Sequence, residues 1–453
     1  MSQLVDLNPV QWCGMITADI VSRPKSKRAL VARQILPSKR RATMAQKNSP
    51  VFPASFLRNA LVATVALAAS LTMLGGQQSA ADENQPLTAE ALARLQAPLQ
   101  AGHDRVAALV AMHPEWEGHF SGIEILVRDE SVNVYLTKDS PEEFVAAIRD
   151  LSQGVTFRIL QGDHSREDMR TAALEVMRTT QASSVQISEN GSGIVATFTP
   201  DDLRDASPSA ASNPMLSRAG VPVDVRIGEP PVPAGGTRQL PTPTSGWDPG
   251  ARIDTGGCST GFGVRDSSGN AHLLTAAHCY ENGQVLRAGR GTLGTTHGRN
   301  PGRDIIRIDV DSVSPYVQDG PWNGPRDVRK IIGASSNPTG SYVCTSGSWT
   351  GVNCNLLVTA STSWIWMNNR LVEVVAAEVS NISPTGIAVG KGDSGGPVFG
   401  YLPHPTDRIA RGIISALSDK VPCPSTTAST ECGTTVHFID ITRALEGGDL
   451  IHG

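Results

Sequence analysis

Basic charge is in short supply along this 453-residue chain: 39 Lys and Arg stand against 43 Asp and Glu, a formal net charge of −4, with only 18% charged residues. A nucleic-acid binder normally presents a basic face, so that partner is excluded for the chain as a whole, although its first stretch, up to the residues around Arg58, is locally basic. Cysteine is nearly absent from the N-terminal half, where Cys13 stands alone. No CxxC pair occurs and the cysteine spacings do not resemble zinc knuckles, so no metal site is expected. A convincing membrane span is lacking too. The apolar run LRNALVATVALAASLTML, residues 57–74, is too short and too rich in small residues for one.

That run has instead the pattern of a secretion signal. Lys47 and Arg58 supply an n-region, and Ser79-Ala80-Ala81 supplies small residues before Asp82, which places the cut after Ala81. An ordinary n-region begins at Met44, so residues 1–43 read as an overextended start and Cys13 as absent from the mature protein. An uncleaved anchor is the alternative. A secreted, extracellular protein with no stable membrane association after cleavage is expected. The other cysteines, Cys258, Cys279, Cys344, Cys354, Cys423 and Cys432, cluster in the C-terminal part. They read as three disulfides formed in an oxidising compartment, against the rival reading of buried free thiols.

A chain this long exceeds one core of ordinary size, so two or three units are expected. After the N-terminal extension and signal, 1–81, residues 82–227 alternate β-branched runs (SVNVYLT, VTFRIL, SVQIS, GIVATFT) with helical segments (SPEEFVAAIRDL, SREDMRTAALEVMRTT), a small α+β unit. Ser140-Pro141 followed by two glutamates is a helix start, and Asn190-Gly191 between strand runs marks a hairpin. His103, His113, His119 and His164 have no metal spacing and read as solvated. Residues 228–250, rich in proline and glycine, read as an exposed linker. From 251 to 453 the text becomes short strands punctuated by glycine, among them GFGVRD, DIIRIDV and RGIISAL, with helical periodicity returning only in FIDITRALEGG. Such a pattern means a sandwich or barrel.

The stretch GKGDSGGP, Gly390 to Pro397, taken alone indicates only a tight turn. Its meaning comes from partners: His278 in LLTAAHC, beside Cys279, and Asp304 at the head of an alternating strand. A serine hydroxyl is a poor nucleophile at neutral pH. A neutral imidazole can take its proton, and a buried carboxylate can hold the imidazole tautomer and stabilise its cation. Gly392 and Ser394 can then direct backbone N–H groups at an oxyanion. His278, Asp304 and Ser394 are the candidate catalytic residues.

Through TAAHC, DIIRI and GDSGGP, in that order, residues 251–448 resemble the trypsin-like serine peptidases of chymotrypsin fold. GGCSTGFGVRDSSGNAHLLTAAHC and VCTSGSWTGVNC resemble the bacterial secreted branch of streptogrisins and α-lytic protease. The resemblance implies an all-β catalytic domain of two six-stranded antiparallel β-barrels, preceded by a small α+β pro-region that acts as folding aid and inhibitor. It also implies the pairs Cys258–Cys279 and Cys344–Cys354, which leaves Cys423 with Cys432, polypeptide substrates, and no cofactor.

There are departures. No IVGG-like start follows the linker, and Thr345 stands where the bacterial branch commonly has arginine, so the partner of Asp393 is open, with Arg326, Arg329, Lys330 and Lys391 as candidates. Gly390 replaces a cysteine of the branch. Ala388, six residues before Ser394, is not the acid of a trypsin, so cleavage after Arg or Lys is not expected. By the family pattern Ser415, Ala416 and Leu417 form the strand along which substrate pairs, and Leu417 in place of a glycine narrows the pocket toward small or medium apolar residues. His437 reads as structural, with acidic substrates the lesser alternative. Two functions follow: a secreted serine endopeptidase made as a precursor, and a secreted binding or adhesion module on the same scaffold with little catalysis.

Overall fold

The computed structural model describes residues 88–152, 154–205, 220–233, 246–289 and 291–453. The expected signal, Met44, Cys13 and most of the expected linker lie outside the described residues. Among the described residues no helix is long and apolar enough to cross a membrane.

The chain begins its described course with a 24-residue helix, Ala89–Met112, which the strand-and-helix alternation had not singled out. Thr88 caps it by accepting from the Ala91 N–H at 3.1 Å. Pro98 lies within it and obscures the period, but Leu92, Leu99 and Val106 recur on one face and are buried. That face packs on a three-stranded sheet of Phe120–Leu126, Ser131–Thr137 and Thr156–Gly162. The helix expected after Ser140-Pro141 runs Glu142–Asp150 with both glutamates in its first turn. The next, Arg166–Thr179, starts at Ser165, whose Oγ accepts from the Asp168 N–H at 3.1 Å.

Strands Ser184–Ile187 and Ile194–Phe198 form the hairpin whose turn Asn190-Gly191 announces, with Gly191 at φ +74°. The first of them pairs antiparallel with Gly351–Met367, through Ser184 opposite Ile365 and Val185 opposite Trp364. The α+β segment and the β domain therefore share one continuous sheet. Trp364, 2% exposed, is buried among Met169, Val176 and Val185 of the α+β segment. A large side chain so buried is worth about 1.5–3 kcal/mol. His103, expected to be solvated, also lies at this junction, beside Asp104 and Ser336.

The C-terminal part consists of two antiparallel β-barrels of chymotrypsin type. The first holds the strands Val285–Ala288, Gly291–Asn300, Ile305–Asp309, Ala271–Ala276, Gly263–Arg265 and Asp449–Leu450, in that spatial order. In the second, Asp407–Val421, Pro397–Tyr401, Tyr342–Gly347, Gly351–Met367, Arg370–Val379 and Cys432–Asp440 follow one another, and pairing of the last with the first closes the ring. Alternation places Leu356, Val358, Ile414 and Phe438 in its core.

Two local expectations are corrected. FIDITRALEGG is not one helix: Phe438–Asp440 ends a strand, and the Asp440 side chain caps a single turn, Ile441–Ala444. Nor are residues 228–250 wholly an exposed linker. Val232–Pro233 forms a short strand, and Asp248 is buried against Arg326 at 2.6 Å, which makes residues 246–250 part of the β domain.

Candidate active site

The strand Ala271–Ala276 delivers His278, and its partner Ile305–Asp309 begins beside it, with Ile305 opposite Ala276. Asp304 therefore lies next to His278 by strand register. A disulfide between Cys258 and Cys279 fixes the histidine's neighbour. The other bridges join Cys344 with Cys354 and Cys423 with Cys432.

His278 Nδ1 stands 2.8 Å from Asp304 Oδ2 and 3.0 Å from Oδ1, and the His278 backbone N–H donates to Oδ1 at 2.8 Å. The Ser415 hydroxyl also donates to Asp304. Asp304 is 2% exposed and takes a left-handed φ of +51°, a conformation that Asp tolerates better than most residues. A carboxylate at Nδ1 holds the proton there and leaves the Nε2 lone pair free. That nitrogen lies 3.0 Å from Ser394 Oγ. The same hydroxyl is 3.1 Å from the Ser415 carbonyl, so its single proton has two acceptors.

Ser394 sits in the turn before Pro397–Tyr401, stitched to the first barrel by Ser259, whose N–H donates to the Ser394 carbonyl and whose hydroxyl donates to Gly392. Gly392 has φ +121°, open to glycine and costly for other residues. Its N–H makes no hydrogen bond among the described residues.

Asp393 is fully buried, and no cation meets it among the described residues. Its carboxylate accepts from the N–H groups of Trp349 (3.0 Å), Thr350 (3.3 Å) and Gly390 (2.8 Å) and from Thr350 Oγ1 (2.6 Å). Burial pushes its carboxyl above the ordinary Asp value, and these four bonds pull against the rise. The cation candidates are engaged elsewhere: Arg326 with Asp248, Arg329 with Asp319 and Asp327, Lys391 with Glu431. Lys330 pairs opposite Tyr316 on a distant strand. Thr345, in the place of an arginine, donates to the Ala388 carbonyl at 2.7 Å.

No protein-family model matches the chain. Over 153 residues it is 33% identical to Serine protease 2 of Streptomyces fradiae, covering 80% of that protein and 32% of this chain. This chain is a trypsin-like serine peptidase of the bacterial branch. Among solved structures it is similar to Thermobifida fusca Protease A (25% identity, 46% of this chain and 100% of that one, TM-score 0.36). It is also similar to the Nocardiopsis protease (24% identity, 46% of this chain and 99% of that one, TM-score 0.36).

In this serine endopeptidase Ser415, Ala416 and Leu417 lie on the strand Asp407–Val421 and are buried. Val232–Pro233 pairs antiparallel with them, Val232 opposite Leu417 and Pro233 opposite Ala416. Leu417 lies over Gly433, where an added Cβ would stand 3.2 Å from the Leu417 Cβ and 3.3 Å from its Cδ1. Ala388 is buried nearby, its N–H donating to the Gly433 carbonyl at 2.8 Å. His437 is buried with Nε2 3.0 Å from Ser418 Oγ, and burial pulls its imidazole down to about 4.

Proposed function

We propose that this peptidase is a secreted endopeptidase, made as a precursor, that works through an acyl-enzyme. The observation that carries the reading is the line Asp304, His278 Nδ1, His278 Nε2, Ser394 Oγ, with contacts of 2.8 and 3.0 Å. Ser394 Oγ attacks the scissile carbonyl carbon as its proton passes to His278 Nε2. The oxyanion is held by the N–H groups of Gly392 and Ser394. The C–N bond breaks as His278 returns the proton to the leaving amine. Water then attacks the ester, giving its proton to His278, and Ser394 regains its hydrogen when the acyl group leaves as the acid. The residual activity of oxyanion hole and binding alone is a small fraction of the whole.

Residues 82–227 act as the pro-region. Support comes from the strand Ser184–Ile187, which pairs with Gly351–Met367, and from Val232–Pro233 directly after the segment, which fills the edge at Ala416 and Leu417 where an extended substrate would add a strand. Leu417 over Gly433 favours small side chains next to the cleaved bond. Asp393, satisfied without a cation, removes the main reason to read the domain as a binding module without catalysis.

Ser394→Ala should abolish peptide hydrolysis and labelling by an organophosphonate, and the secreted protein should stay full length from Asp82. Unchanged hydrolysis by this variant would dispose of the mechanism. In the Ser394→Ala precursor a fluorescent peptide should bind only after Val232→Asp is added; equal binding without that change would remove the inhibitor role.

A further inference from the structure

Three adjacent strands of the first barrel, Gly291–Asn300, Ile305–Asp309 and Ala271–Ala276, bring a second set of chemically active groups together away from Ser394. His272 lies directly opposite Asp309 on one side, and Thr295 lies opposite Asp309 on the other. Side chains repeat with period two along a strand, so His297 shares the face of Thr295, Asp309 and His272.

The three side chains converge. His272 Nδ1 is 2.8 Å and His297 Nδ1 2.7 Å from the same atom, Asp309 Oδ1, and the ligating atoms of all three lie within 4.8 Å of one another. The rings meet edge to face, with centroids 4.9 Å apart. His272 is buried, and its other nitrogen, Nε2, is 3.3 Å from Asp266 Oδ2. Asp266 is itself fixed by the N–H groups of Ser268 and Asn270.

His272 Nδ1 lies at hydrogen-bond distance from Asp309 Oδ1, 2.8 Å, and a cation bound at Nδ1 moves the ring proton to Nε2, where Asp266 accepts it. His297 Nδ1 is shielded from solvent and makes no aligned hydrogen bond, despite its closeness to Asp309. One cation between these atoms satisfies both lone pairs and the carboxylate together. Arg307 does not supply it: although opposite His297, its guanidinium reaches the Leu445 and Glu446 carbonyls.

We propose that His272 Nδ1, His297 Nδ1 and Asp309 Oδ1 form a binding site for one divalent transition-metal ion of the zinc class, completed by water. Two imidazoles and a carboxylate are a donor set such ions accept. Asp266 on the far nitrogen of His272 is the outer carboxylate that orients a ligating histidine. Tetrahedral zinc with arms of about 2.0–2.1 Å needs donor atoms roughly 3.3 Å apart. The side chains of His297 and Asp309, 40% and 53% exposed, are free to open by that margin around the fixed His272. The ion ties the strand Gly291–Asn300 to the strand that carries His278.

The full chain carrying Ser394→Ala and His278→Ala, which removes autolysis and the imidazole of the catalytic line as a rival ligand, is titrated with zinc by calorimetry. It is then loaded with cobalt and its visible absorption recorded. One equivalent should bind and raise the melting temperature, with tetrahedral cobalt bands. Adding His297→Ala or Asp309→Asn should weaken binding by at least about 10–100-fold, the loss that removal of even an outer partner of a ligand brings, and remove the bands. Asp309 is exposed and His297 half-buried, and the melting temperature in chelator reports whether each variant is folded. Absence of a zinc-dependent shift, or binding unchanged in both variants, overturns the site.

Discussion

Thr350 Oγ1 donates to Asp393 Oδ2 at 2.6 Å, so the acid next to Ser394 is held by a neutral hydroxyl and three backbone N–H groups. Every donor around it points inward, and a carboxylate is the group that accepts them all. Thr350→Val keeps the shape and deletes one donor. The cost should be about 1–3 kcal/mol, the range for a buried polar group that loses a partner. Because burial already raises the Asp393 carboxyl and Thr350 opposes the rise, the variant raises it further. A carboxyl raised in the folded state penalises the ionised native form. Stability is then lost as pH climbs from the unfolded value through the folded one. Urea unfolding in the Ser394→Ala background should therefore show a larger deficit at neutral pH than in acid. An equal deficit at both would mean that Asp393 is not held through this hydroxyl.

On the proposed reading, Leu417 limits the depth of the substrate pocket beside Ala388 and Gly433. Leu417→Gly removes the side chain that lies over Gly433. With substrates differing only in the residue before the cleaved bond, kcat/KM for Phe or Leu should rise relative to Ala by about 10-fold or more. A few methylenes in an apolar pocket discriminate on that scale. A ratio that does not move would place the specificity elsewhere.

The fold and the line of His278, Asp304 and Ser394 were legible because three motifs stand in a fixed order, each at a strand end or a glycine turn. The means of holding Asp393 was not. Thr350 is one threonine among many, and backbone N–H groups leave no mark in a sequence. The helix Ala89–Met112 escaped because Pro98 interrupts an otherwise regular apolar period. The group of His272, His297 and Asp309 escaped for another reason: the metal-ligand spacings that show in a sequence are those of one turn or knuckle. Here three strands, joined by barrel register, supply one ligand each. The strand Val232–Pro233 hid in a proline-rich stretch that reads as linker, since an edge pairing with Ala416 and Leu417 asks little of the local pattern.

His437 links stability to pH. It is fully buried, bonded to Ser418 Oγ at 3.0 Å, and burial lowers its imidazole from the ordinary 6.5 to about 4, with Asp419 opposing. The unfolded chain takes up a proton here as pH falls below the ordinary value, and the native protein does not until about 4. Between those values the unfolded state binds more protons, so stability falls as the medium is acidified and levels off below the folded value. At 1.36 kcal/mol per unit the whole effect is about 3 kcal/mol. His437→Gln retains a polar partner for Ser418 and cannot titrate in this range. Its unfolding free energy, measured in the Ser394→Ala background, should be flatter than the parent's across the window from pH about 6.5 to 4. Parallel curves for the two proteins would show that the acid limb belongs to other groups, and that His437 is protonated as readily in the folded chain as in the unfolded one.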